Sequence, residues 1–198
     1  MEKAATDVRL CFVGDSLVNG TGDEQALGWA GRLVVAAQGA GHPVTYYNLG
    51  VRRETTKEIA SRIVSECTLR LPSSCDGRIV LSCGVNDTTV EAGRPRLELD
   101  ESLASLRAML DAFADRPLLL IGPPPIDDDA QNQRIAALSR AFAAEADGRG
   151  VGFVSLFEAL AADRSYLREV AGRDGAHPTS RGYAKIAELI LGSGRWWF

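Results

Sequence analysis

Val8-Arg9-Leu10-Cys11-Phe12-Val13 runs straight into Gly14-Asp15-Ser16-Leu17 and a glycine-rich stretch that reaches Gly22. A short run with one charge, mostly apolar and stopped by glycine, has the length and composition of a buried parallel strand. The pattern recurs at Val44–Leu49, Arg78–Cys83, Pro117–Ile121 and Val151–Val154. Gly122 and Pro123-Pro124-Pro125 end the fourth run, since proline cannot continue a ladder. Between the runs, apolar residues return at helical spacing. Trp29, Leu33, Ala36, Ala37 and Ala40 form one set; Ile59, Ile63 and Cys67 form a second, behind the capping box of Thr55 and Glu58. Leu99, Leu103, Leu106, Leu110 and Phe113 make a long stripe, and Ile135, Leu138 and Phe142 another. A last helix is predicted from an N-cap at Thr179, after Pro178, to Leu191.

Five strands alternating with helices are the mark of βαβ units and of a parallel sheet covered on both faces. Right-handed crossovers then give an α/β, three-layer α/β/α architecture. At ~150 residues per domain, the 198 residues are read as a single domain, 1–198. A chain of this size buries roughly 70% of its unfolded surface and needs no staples.

Composition closes off several classes. The net charge of −4 leaves no footprint for nucleic acid. No apolar run approaches the ~20 residues of a membrane span. Met1–Asp7 is polar and lacks the apolar region of a signal peptide, so a cytoplasmic protein is expected. Cys11 and Cys83 sit in apolar runs as small hydrophobes. Reduced thiols are expected throughout, with Cys67–Cys75 pairing as the alternative in an oxidising compartment. With no C-x-x-C pair and only His42 and His177, there is no zinc pattern; Asp127-Asp128-Asp129 is read as the start of a helix. No metal and no cofactor are expected. Trp196, Trp197 and Phe198 are too apolar for a free tail and are read as packing on the body or on a partner subunit, which makes a homodimer plausible.

Ligands of such sheets bind beyond the carboxyl ends of the strands. That edge collects Gly14-Asp15-Ser16-Leu17 after strand one, Gly50-Val51-Arg52-Arg53 after strand two, Gly84-Val85-Asn86-Asp87 after strand three and Asp174-Gly175-Ala176-His177 before the last helix. His42 precedes strand two and belongs to the opposite edge. Serine becomes a nucleophile only when a base takes its proton, and His177 is the histidine on the right edge. Asp174 is placed to accept from the imidazole and set its tautomer. Donors for a developing oxyanion are the backbone N–H of Ser16, a backbone N–H after strand two and the Asn86 amide. Asp87 is read as bracing its loop. Activity through this base should rise around pH 6 to 7, where an unperturbed imidazole loses its proton.

The three blocks Gly14-Asp15-Ser16-Leu17, Gly84-Val85-Asn86-Asp87 and Asp174-Gly175-Ala176-His177 resemble those of the GDSL esterase/lipase family, the SGNH hydrolases, in the family's order and across nearly the whole chain. The resemblance implies a flavodoxin-like five-stranded sheet of order 2-1-3-4-5 and ester hydrolysis through an acyl-enzyme. It implies Ser16 as nucleophile, His177 as base, Asp174 as its orienter, and Asn86 with backbone amides as oxyanion hole. One block departs. Where the family reads like N-x-x-x-S-G-x-T, this chain has Asn48-Leu49-Gly50-Val51-Arg52-Arg53-Glu54-Thr55, with Arg53 in the glycine's place. Any residue but proline offers the N–H; glycine adds freedom at positive φ and room. Arg53 is expected to keep the backbone role and narrow the acyl side, favouring short acyl groups or a negatively charged substrate. A short-chain or aryl ester is the expected substrate, with sugar acetates, thioesters and lysophospholipids as alternatives within the family. A nucleotide- or flavin-binding protein is the competing class; the Gly14–Gly22 loop matches neither phosphate-binding pattern. A catalytically inactive binding module is the third.

Overall fold

A computed structural model describes residues 7–198; of the Met1–Asp7 stretch, all but Asp7 lies outside the described residues. Its strands are β1 (Val8–Gly14), β2 (Val44–Gly50), β3 (Asp76–Ser82), β4 (Val90–Glu91), β5 (Arg94–Pro95), β6 (Leu118–Ile121) and β7 (Gly152–Val154). Its helices are α1 (Ser16–Asn19), α2 (Gly28–Gly39), α3 (Thr56–Arg70), α4 (Leu99–Ala112), α5 (Asp129–Asp147), α6 (Phe157–Ala161), α7 (Arg164–Ala171) and α8 (Ser180–Gly192). Five strands form one parallel sheet in the order β2-β1-β3-β6-β7, which is 2-1-3-4-5 once the separate hairpin β4–β5 is set aside. The topology is the flavodoxin-like one.

Strand β1 lies inside this sheet, and its side chains alternate between two apolar layers. Leu10 and Phe12 face a core with Trp29 and Leu33 of α2 and Tyr183, Ile186 and Ile190 of α8. Cys11 and Val13 face the other core, with Ile59 and Ile63 of α3, Leu106 and Leu110 of α4, and Phe142 of α5. Each fully buried side chain of this size contributes roughly 1.5–3 kcal/mol. The cysteines are free, and Cys11, Cys67 and Cys83 are buried. The capping box forms: Thr55 Oγ1 accepts from the Glu58 N–H, while Glu58 accepts from the Thr55 N–H.

Several local readings need correction. Ala40 lies beyond α2 and is exposed. Leu99 is exposed too, because the first turn of α4 precedes its contact with the sheet; the buried face is Ser102, Leu106, Met109 and Leu110. Thr179 sits at the N-cap of α8, but its hydroxyl donates to Glu169 rather than capping. The hairpin β4–β5 and the helices α6 and α7 carried no periodic signal long enough to read. Asp128 caps α5 by accepting from the Gln131 N–H at 2.8 Å, and Asp129 lies in its first turn, the helix-starting role expected of that acidic run.

Trp196, Trp197 and Phe198 fold back on this chain. Trp196 is buried beside Phe12, with ring centroids 6.3 Å apart, and the Arg78 guanidinium lies over Trp197 and Phe198. No helix among the described residues is long and apolar enough to cross a membrane.

Candidate active site

Strand β1 ends at Gly14, where a Cβ would lie 2.0 Å from the Ser82 carbonyl oxygen, so only glycine lets the chain leave the sheet here. Asp15 then caps the single turn of α1, its Oδ1 accepting from the Leu17 N–H at 2.9 Å. Ser16 is thereby freed from capping. It is buried at the first position of α1, and its Oγ lies 2.7 Å from His177 Nε2, 161 residues further along the chain. His177 Nδ1 lies 2.7 Å from Asp174 Oδ2.

The loop carrying His177 is organised by Asp174 itself, whose Oδ1 accepts from the backbone N–H of Ala176 and His177 at 3.1 and 2.9 Å. Burial by itself would raise the Asp174 carboxyl. The hydrogen bonds from the imidazole and the two N–H groups outweigh it and hold the pKa at about 2. Two neighbours fix the loop in space. Gly175 accepts through its carbonyl from the Asp127 N–H at 2.8 Å. Gly22, at φ +92°, passes so close that a Cβ there would meet His177 Cβ at 3.3 Å.

Asn86 opens a short 3-10 turn after β3, and its Nδ2 donates to Asp15 Oδ2 at 3.1 Å and to the Glu54 carbonyl at 3.0 Å. Asp15, which accepts one of those bonds, is fully enclosed. Burial pushes its pKa up to about 7 against the pull of the Leu17 N–H, and the charges of Asp87 and Glu54 add to the rise. Asp87 braces the turn as expected, its Oδ1 accepting from the Thr56 N–H at 2.7 Å.

Arg53 adopts φ +68°, the conformation that a glycine in that position would take without strain. Its side chain turns outward to Glu91 on the hairpin at 3.2 Å and is 78% exposed. Its carbonyl accepts from Arg96 Nη1 at 2.6 Å. The backbone N–H groups of Ser16 and Arg53 find no acceptor among the described residues. Together these residues line a cleft of about 250 Å³ with Leu17, Arg52, Val85, Thr89, Glu91, Arg96 and Ala176. His42 is at the far edge, beside Phe198.

Three supports were not foreseen. Arg62 of α3 reaches under the sheet edge and donates to the carbonyls of Gly14 at 3.2 Å and Leu49 at 2.9 Å, while Glu54 and Glu66 hold its guanidinium. Gln131 of α5 donates from Nε2 to the Val85 carbonyl at 3.0 Å and to the hydroxyls of Thr88 and Thr89 at 3.1 Å each. Arg134, one turn on, donates to the Thr88 carbonyl at 2.9 Å. A long polar residue on the mostly apolar buried face of α5, where the other buried polar side chain is the small Ser139, was the available signal for Gln131; nothing local marks Arg62.

A hydroxyl bonded to an imidazole, whose second nitrogen is held by a carboxylate, can lose its proton as it attacks. An α/β sheet with that constellation at its carboxyl edge has the form of an acyl hydrolase. The profile of the GDSL-like lipase/acylhydrolase family matches residues 12–185, and the chain belongs to that family. A search of the curated proteins returns no match. Among solved structures, the fold resembles a lipase/acylhydrolase from Enterococcus faecalis, with a TM-score of 0.76, 19% identity and coverage of 94% of this chain and 95% of that one. It resembles equally LAE5, an alpha/beta hydrolase enzyme from the metagenome of Lake Arreo, at 0.77 and 18%, over 96% of this chain and 95% of that one. The acetylxylan esterase Axe2 from Geobacillus stearothermophilus matches at 0.69 and 18%, with the same two coverages. At these identities the likeness is one of fold.

Proposed function

We propose that the protein is a serine esterase that hydrolyses carboxylic esters, of short acyl chains or aryl alcohols, through an acyl-enzyme. Ser16 Oγ attacks the ester carbonyl carbon as His177 Nε2 takes its proton. The tetrahedral adduct collapses, the C–O bond to the alcohol breaks, and the alcohol leaves with that proton. Water then attacks the acyl-serine, again giving its proton to His177, and the acid departs as Ser16 regains its hydrogen. Asp174 holds the imidazole in the tautomer that presents a bare Nε2 to the hydroxyl.

The developing oxyanion is received by the N–H groups of Ser16 and Arg53, which have no other acceptor among the described residues. Asn86 adds a third donor by sharing an amide hydrogen now directed at Asp15 or the Glu54 carbonyl. The observation that carries this reading is the pair of 2.7 Å contacts joining Ser16, His177 and Asp174. The small cleft supports short acyl groups.

The test is hydrolysis of p-nitrophenyl acetate, butyrate and octanoate by wild type and Ser16→Ala. Acetate should be the best substrate, and kcat should fall by roughly 10⁴ or more in the variant. Equal turnover by both proteins would refute the assignment.

A further inference from the structure

The cleft carries arginine side chains that the esterase reading does not use. Three guanidiniums line it, those of Arg52, Arg53 and Arg96, against the carboxylates of Glu91, Asp174 and the enclosed Asp15. Asp174 is engaged by His177. Glu91 meets Arg53 Nη2 at 3.2 Å and Arg96 Nε at 3.8 Å with the same oxygen. Arg96 is held further by the Arg53 carbonyl and by Glu58 at 3.2 Å. Arg52 has no carboxylate within ion-pair reach among the described residues, although the chain as a whole is acidic at −4. Elsewhere Arg32 pairs with Asp23, Arg62 with Glu54, Arg78 with Asp76 and Arg107 with Glu145, while Arg140, Arg173 and Arg181 have no such pair among the described residues; Arg52 differs from these in lining the cleft.

We infer that Arg52 and Arg53 select esters that carry a carboxylate near the scissile bond. This rests on the esterase reading and names its substrate class. A guanidinium meets a carboxylate through two parallel N–H bonds, a fit that a neutral ester cannot offer. Arg52 is available for it as it stands. Arg53 is available by exchange, because its pair with Glu91 is exposed on both sides, and such pairs are weak in water. Both arginines lie between β2 and α3, on the lining of the cleft that also holds Ser16. A substrate carboxylate bound there sits beside the reacting carbonyl.

The experiment compares kcat/KM for four esters, normalised to their uncatalysed rates. Mono-p-nitrophenyl succinate and its methyl ester put the carboxylate, or its neutral twin, on the acyl side. 4-Acetoxybenzoate and its methyl ester put it on the leaving group. One charged ester should exceed its neutral twin by about tenfold, near 1.4 kcal/mol, chiefly through KM. The winning pair identifies the side. The preference should shrink as ionic strength rises to about 0.5 M, where screening acts within a few ångströms. It should fall in Arg52→Gln and invert in Arg52→Glu, while Arg140→Gln, on the exposed face of α5, should keep the wild-type ratio. Neutral esters turned over as well as both charged ones, with Ser16→Ala inactive, would overturn the charge selection and leave the esterase reading standing. A preference that survives Arg52→Glu would overturn it too. Failure to hydrolyse any of the four would overturn both.

Discussion

Arg53 stands in a left-handed conformation because the chain must turn from the end of β2 into α3 while its carbonyl is gripped by Arg96. A non-glycine residue at φ +68° carries about 1 kcal/mol of strain. Arg53→Gly should therefore raise stability by about that amount in urea denaturation, and Arg53→Ala should not, since alanine keeps the strain. Gly22 makes the opposite case. At φ +92° and against His177, Gly22→Val should cost about 1–3 kcal/mol and lower kcat by displacing the imidazole, read from Tm and p-nitrophenyl acetate turnover.

Asp15 links the same region to pH. Its folded pKa of about 7 lies above the unfolded value of 3.8, so between these values the folded state binds the extra proton. Stability then falls as pH rises from about 4 to about 7, by roughly 2–4 kcal/mol. Asp15→Asn should flatten that dependence in denaturation curves at pH 5 and pH 8. Asp174 acts with the other sign. Its depressed pKa of about 2 contributes stability above the unfolded 3.8, lost as pH falls through about 2, outside that window.

Single elements hold the loops that carry these residues. Helix α3 sends Arg62 to the carbonyls at the ends of β1 and β2, and α5 sends Gln131 and Arg134 to the turn that bears Asn86. Hydrogen bonds from a charged donor are worth about 1.5–3 kcal/mol each way. Arg62→Met keeps the bulk and removes the charged donor that the Gly14 and Leu49 carbonyls share, leaving Gly14 with the Val51 N–H alone, so kcat should fall about tenfold or more with the fold retained by circular dichroism. Gln131→Leu should leave the helix in place and speed amide exchange at residues 85–89. The helical face itself was legible, because Ile135, Leu138 and Phe142 recur at the right spacing. The hairpin β4–β5 was not: two-residue strands are too short to show alternation, and their pairing depends on the turn and on Arg96 reaching Arg53.

Across the whole molecule, two apolar layers meet at one sheet, and β1 belongs to both. Phe12 is fully buried and touches Trp29 edge-on at 5.6 Å and Trp196 at 6.3 Å, so it ties α2 and the C-terminal aromatics to the sheet. Phe12→Ala should cost about 3–5 kcal/mol in urea denaturation, more than a surface change such as Leu69→Ala, which should be near neutral. The order of the strands came from the family resemblance, while the alternation of strands and helices, most of the apolar faces of the long helices and the edge on which Ser16, Asn86, Asp174 and His177 gather were readable from periodicity and strand ends. These follow from local rules: alternation sets the face, and right-handed crossovers set the direction of the connections. What tertiary structure alone decided was distance and orientation. Ser16 and His177 come within 2.7 Å, the His177 loop being held in place by Gly22 and Asp127, and the Arg53 side chain meets Glu91 on a hairpin that no periodicity announces. Such contacts join residues far apart in the chain, and their geometry is set by packing rather than by any local preference.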